Sequence, residues 1–510
     1  MAGHISFLAG SRMAILGVVK RILILAVVMG LTCQATTGQT LSYQLITSGL
    51  DAVTFENGLG GLAAGDVHGD GNIDIVTIGD HGSPHVNATE AGIMVWANNG
   101  DGTSWTLSKE GDFGYGGVAL GDVNNDGVTD IGYAMHHNYG TNDFGDQLIE
   151  VALGNGSRSG WVPYDDGLAT NGETYGMFGV DFADVNHDGL LDLASNSFGC
   201  CNGFRVYQNN GDGTWTPTFA KNGGNSNQWC RFGDFNNDGN PDLIVATDGA
   251  QVWSSDGTGQ FAPLQNGLTL GFNIDFDVAD VNGDGAADLA VERNGSGQVY
   301  YFDLTTSTWQ SISAGLPSKN VQGIRLADMD MDGSPEVVLW LSRTISIYKA
   351  DADFNWSQIA SIPISETSLA GMAIADFDHD GFNDMTYLAS SGGDNRLRVY
   401  LHVPETPQLK IIPLFPKGAE HFIGGSVQFL RWLSSVPVGE SASVSIQFSS
   451  GGPKGPWTAV TRNAANANRY QWVVPKIDSA NCYLRYKIRT SSAASKVAMV
   501  RPFSISTTAP

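Results

Sequence analysis

The chain has 510 residues, of which 65 are glycine, 10% are aromatic and only 15% are charged, and its formal charge is −25. That length exceeds one ordinary hydrophobic core, and the composition suits many short strands joined by tight turns, not long amphipathic helices. The acidity argues against nucleic acid or an anionic membrane surface as partner, because both need basic protein surface to gain from counterion release.

At the start, Lys20 and Arg21 precede a ten-residue apolar run at 22–31, with small residues such as Ala35 after it. This is the layout of a secretory signal peptide over residues 1–35, too short to span a bilayer. The mature chain is therefore expected to be secreted or held at the cell surface, with no transmembrane segment. Cys33 follows Gly30-Leu31-Thr32 and lacks the small residue expected directly before a lipidated cysteine. Residues 41–47, Leu-Ser-Tyr-Gln-Leu-Ile-Thr, then form a lone strand pattern outside any repeat.

From residue 66 a nine-residue pattern, D-x-[DNH]-x-D-G-x-x-[DE], recurs seven times. The copies occupy 66–74, 122–130, 184–192, 234–242, 280–288, 328–336 and 376–384, and their starts lie 56, 62, 50, 46, 48 and 48 residues apart. Short alternating runs flank each copy, as at 118–121 and 243–246, so the loop joins two strands of a hairpin. A third strand, a turn and a fourth strand opened by an aromatic follow, most clearly at 206–215. Four antiparallel strands repeated seven times predict an all-β fold whose main part, residues 40–404, is a seven-bladed β-propeller. Radial closure hides sheet edges, and the strand at 41–47 is expected to pair into the last blade.

These repeats resemble the FG-GAP/VCBS family, the calcium-binding propeller repeats also seen in integrin α-subunit heads and some fungal lectins, over roughly residues 40 to 405. The resemblance implies a calcium-stiffened scaffold with ligand binding on the face away from the calcium loops.

The loops themselves read as calcium sites. Calcium takes six to eight oxygens, and acids at positions 1, 3, 5 and 9, a carbonyl at 7 and glycine at 6 can wrap one ion. An EF-hand begins similarly but ends with glutamate at position 12 between helices. A bare Asn/Asp-Gly hairpin turn does not require a carboxylate three residues beyond the glycine. The expected side-chain ligands are Asp66, His68, Asp70 and Asp74; Asp122, Asn124, Asp126 and Asp130; Asp184, Asn186, Asp188 and Asp192; Asp234, Asn236, Asp238 and Asp242; Asp280, Asn282, Asp284 and Asp288; Asp328, Asp330, Asp332 and Glu336; Asp376, Asp378, Asp380 and Asp384. His68 is a poor ligand for a hard cation, so the first site is expected to bind weakly or through water, and Glu336 replaces aspartate in the sixth. Up to seven structural calcium ions are expected, which would take the formal charge from −25 to −11.

Opposite the calcium loops, strands 2 and 3 of blades 1 to 3 are joined by long loops at 79–92, 135–147 and 195–203, whereas 341–344 in blade 6 is minimal. His81, His85, His136, His137 and Tyr139 on these loops, with Tyr175 and Trp229 on inter-blade segments, are the candidate ligand-binding residues. Aromatics beside carboxylates and amides suit sugar recognition. The alternatives are a transition-metal or acid–base role for the histidines, or ordinary exposed loop positions. Cys200 and Cys201 form a vicinal disulfide, or one of them reaches Cys230, or all are small buried thiols.

After Pro404 the aspartate loops cease, and strand patterns at 426–432, 443–448, 469–474 and 483–488 predict a small β-sandwich over 405–510, immunoglobulin-like or fibronectin-III-like, with Cys482 as a lone buried thiol. The function expected from the whole is extracellular recognition or adhesion, with glycan or protein as partner. The alternative is a polysaccharide-active enzyme, a lyase or hydrolase, built on a calcium propeller. Oligomeric state is not encoded in any of these patterns.

Overall fold

The computed structural model describes residues 41–508 except 52, 54–60, 80–91, 112, 115, 135–136, 139–147, 170–177, 198–202, 223–225, 248–250, 265, 269, 271–274, 390–395 and 404–406. Every regular element among them is a β-strand. Seven four-stranded antiparallel sheets follow one another, and each begins with the strand that leads into an aspartate loop. Blade 1 comprises Leu62–Gly65, Asp74–Ile78, Ile93–Asn98 and Trp105–Glu110.

The ring closes as the sequence suggests. Tyr43–Ile46 pairs antiparallel with Leu397–His402 as the fourth strand of blade 7, in the register Tyr43 to His402. The first strand of blade 7, Leu369–Ala375, lies beside that of blade 1, Leu62–Gly65. Between those two blades sits a core in which Ile75 and Trp96 pack with Phe377, Leu388 and Val399. Each of the other six blade boundaries has its own buried cluster. The second strands are covered by a neighbour on both faces, which is why Asp74–Ile78 and Asp384–Ala389 are buried at every position. The aromatic that opens the fourth strand clasps the preceding blade: Trp215 Nε1 donates to Tyr164 O at 2.7 Å and Trp356 Nε1 to Ile312 O at 2.7 Å. In blade 6 the short connection is as expected, with Leu341 paired directly to Thr344.

The first strands also carry an asymmetric set of charges. Ala63, Ala119, Asp181, Arg231, Asp277, Arg325 and Ala373 occupy the same register in blades 1 to 7. Asp181 accepts the backbone N–H of Phe232 on the next blade (2.8 Å), and Asp277 accepts that of Leu326 (2.9 Å). Arg325 donates to Asp275 at 2.7 Å and, through Nε, to Met372 O at 3.0 Å. These side chains tie blade 3 to blade 4 and blade 6 to blades 5 and 7 along the axis, whereas blades 1, 2 and 7 have alanine at this register.

The C-terminal segment packs two sheets over one core. A three-stranded sheet of Lys410–Phe415, Val427–Ser435 and Arg469–Val473 contributes Leu430, Trp432 and Trp472. The other sheet, built around Ser443–Ser449 and Ser479–Arg489, contributes Ile446, Leu484, Tyr486 and the free, buried Cys482. Sequence alone gave no position for this module relative to the propeller. It is seated on the aspartate-loop rim as a cap, and it forms one compact unit with the propeller.

Candidate metal centres

In every blade the loop is formed by the same backbone geometry. Position 6 is glycine with φ between 87° and 97°, which a β-carbon would strain. Position 4 is also left-handed: Gly69, Asn125, His187, Asn237, Gly283, Met331 and His379 have φ between 55° and 74°. The carboxylate at position 1 accepts the turned N–H groups, as where Asp122 Oδ2 accepts Gly127 N and Asp234 Oδ2 accepts Gly239 N, both at 2.8 Å. Position 9 is the first residue of the second strand and is buried in all seven blades. It accepts the N–H of position 2, for example Val185 to Asp192 at 2.8 Å and Phe377 to Asp384 at 2.7 Å. In five blades its other oxygen takes an N–H from the third strand, as with Asn209 to Asp192 at 2.9 Å.

Four successive segments, 196–245, 234–291, 280–339 and 328–387, match the FG-GAP-like repeat. Residues 196–387 thus carry FG-GAP-like repeats. No curated protein matches the sequence. Among solved structures the chain is similar to an Agrocybe aegerita lectin that recognises non-reducing terminal N-acetylglucosamine, at 18% identity and TM-score 0.44, covering 68% of this chain and 86% of that one. It is also similar to a luciferin-regenerating enzyme, at 7% identity and TM-score 0.34, covering 71% and 95%.

The donor set of the FG-GAP-like loops fits a hard divalent cation. Asp328, Asp330 and Asp332, and likewise Asp376, Asp378 and Asp384, bring one oxygen each within 4.8 Å of one another, close enough for a single ion. Among the described residues, buried Asp288 Oδ1, Asp330 Oδ1 and Asp376 Oδ1 have no hydrogen-bond donor. Burial and neighbouring carboxylates push the acids upward: Asp184 to about 6, Asp130 and Asp378 to about 7 and Asp234 to about 8. Such a cluster lacks only the positive charge that would hold it ionised.

Two loops depart from the common plan. His68 Nδ1 lies 2.5 Å from Asp74 Oδ2, so in blade 1 the imidazole stands against the position-9 carboxylate. In blade 6 the Lys349 ammonium, reaching over from the third strand, contacts Asp330, Asp332 at 2.7 Å and Glu336 at 3.3 Å. The nine-residue motif could not reveal Lys349, because the residue lies outside it. Its only signal is register, since Lys349 occupies the position that Leu401 holds in blade 7.

The cap touches all seven loops. Gln471 bridges the backbone N–H and C=O of Asp122 (3.1 and 2.8 Å), and Val427 N donates to Asp184 Oδ2 at 3.0 Å. Asn237 pairs with His421 N and Ala419 O at 2.8 and 3.0 Å, and Arg501 donates to Gly283 O at 2.6 Å. Gly333 lies against Ile412, Val436 N donates to His379 O at 2.8 Å, and Gly71 lies against Asn466.

Of the residues expected on the ligand face, His81, His85, His136, Tyr139 and Tyr175 lie outside the described residues, as do Cys200 and Cys201. His137 falls in the two-residue strand His137–Asn138, which pairs with Phe113–Gly114. Trp229 is not on a loop. It belongs to the first strand of blade 4, Ser226–Gly233, and lines a small cavity at the mouth of the propeller axis with Arg231, Asp275 and Arg325. Of the alternatives for Cys230, the disulfide is corrected and the buried thiol holds: the residue is free and fully buried between blades 3 and 4, with Sγ 3.7 Å from Ala194 O.

Proposed function

We propose that this is a secreted or cell-surface recognition and adhesion protein that uses calcium structurally and binds an extracellular glycan or protein on the propeller face opposite the calcium loops. The observation that carries the reading is the use made of the loop rim. Its carboxylates hold the second and third strands, and the cap covers the rim at every loop. At the opposite end of the axis, Trp229 and Asp275 line one small cavity, which sets an aromatic side chain and a carboxylate at the same mouth. Calcium at the rim then serves rigidity, and recognition belongs to the connections at the other end of the blades.

Binding of the calcium-loaded chain to a glycan array, before and after Trp229→Ala, tests this. Retained glycan that is lost in the variant supports the reading, and so does capture of a protein ligand that the variant no longer binds. New reducing ends or unsaturated products from a polysaccharide would overturn it in favour of catalysis.

A further inference from the structure

Between the loop end of the propeller axis and the three-stranded sheet of the cap lies a chamber of about 1200 Å³. The cap strands Val427–Ser435 and Arg469–Val473 alternate, sending Leu430, Trp432 and Trp472 into their own core and Phe429, Arg431, Arg469 and Gln471 to the chamber side. Arg431 and Arg469 are direct cross-strand partners. Two like charges placed opposite each other on one face of a sheet destabilise it. Yet among the described residues neither guanidinium has a carboxylate within 4.0 Å or a hydrogen bond, and each is instead held over an aromatic ring, Arg469 at 3.5 Å from Phe429 and Arg431 at 5.8 Å from Phe415.

The acids that face them from the propeller are already engaged. Asp181 and Asp277 each accept an N–H from the following blade. Arg231 and Arg325 also line the chamber, which gives it four guanidiniums; its remaining carboxylates are Glu420 and acids of the aspartate loops, whose charge bound calcium would offset. A preoriented, unpaired pair of guanidiniums matches the planar, bidentate geometry of an oxyanion. We propose that Arg431 and Arg469 form an oxyanion site in the chamber, for a ligand carrying a sulfate, phosphate or carboxylate group.

The test uses the full calcium-loaded chain. Crystals soaked in selenate should show one anomalous peak between the two guanidiniums. Titration with sulfate, and separately with galacturonate, at constant ionic strength distinguishes a free inorganic anion from a sugar carboxylate, and binding of either supports the site. Affinity is expected to fall at least tenfold in Arg431→Gln and in Arg469→Gln. Neither variant should melt lower in anion-free buffer, because each relieves the repulsion. If both anions fail to bind, if both variants bind as the parent does, or if the wild-type crystals show no peak, the site does not exist. The crystal result decides alone should a variant fail to fold.

Discussion

Blades 6 and 7 carry the two most acidic loops, with four carboxylates each, and they meet that charge differently. In blade 7, Asp376, Asp378 and Asp384 converge on one position, and among the described residues no lysine or arginine pairs with them, while His402 Nδ1 approaches Asp380 at 3.1 Å. In blade 6, Lys349 contacts three of the four acids, and they draw its ammonium pKa upward against burial. The motif is the same in both, so the motif alone does not decide which cation sits there. In blade 6 a lysine of the adjacent strand contends for that place, where blade 7 has leucine.

The largest effect expected to sharpen this contrast is global. Excess EGTA should lower the melting temperature by roughly 10 °C or more, since several sites lose their ion together. An unchanged melt would remove calcium from the account. Next, Asp384→Asn should lose one calcium equivalent and about 2 to 3 kcal/mol of stability measured in calcium. Glu336→Gln, in the lysine-closed loop, should cost under about 1 kcal/mol and leave the count unchanged. Equal losses in the two variants would erase the distinction between the blades.

A third expectation concerns pH. The loop acids are raised in the folded, metal-free protein, so it holds more protons than the unfolded chain. That contribution is present below the ordinary carboxylate range and is lost as pH rises through about 6 to 8, the values for Asp184, Asp130 and Asp234. In chelator the protein should therefore melt lower at pH 8 than at pH 5. In calcium, which needs those acids deprotonated, the gap between the two conditions should widen with pH. A chelated melt that climbs from pH 5 to pH 8 would contradict the burial of these groups. Smallest is the cap contact: Gln471→Ala removes a bridge to the Asp122 loop and should cost about 1 kcal/mol without altering metal content. Loss of an equivalent would mean that the cap helps to hold the ion.

The blade count, the hairpin position of the loops, the closing strand and the glycine at position 6 were legible because each rests on a local pattern or a strict period. The left-handed turn at position 4 was not, because Gly, Asn, His and Met all serve there. Nor could sequence place the cap on the loop rim, since Gln471 and Asp122 lie 349 residues apart and their contact depends on tertiary docking. The axial set Asp181, Arg231, Asp277 and Arg325 emerges only once the strand registers align the blades. Trp229 was singled out for its chemistry, but its assignment to a loop failed because the first strand of blade 4 runs eight residues, longer than in blades 1 to 3.

Calcium stoichiometry in the wild type and in Lys349→Met tests the central claim most directly, by calorimetric titration of the metal-stripped chain. The account predicts one equivalent more for the variant than for the wild type, the gain arising in blade 6. No tight calcium in the wild type, or the same count in both proteins, would contradict it.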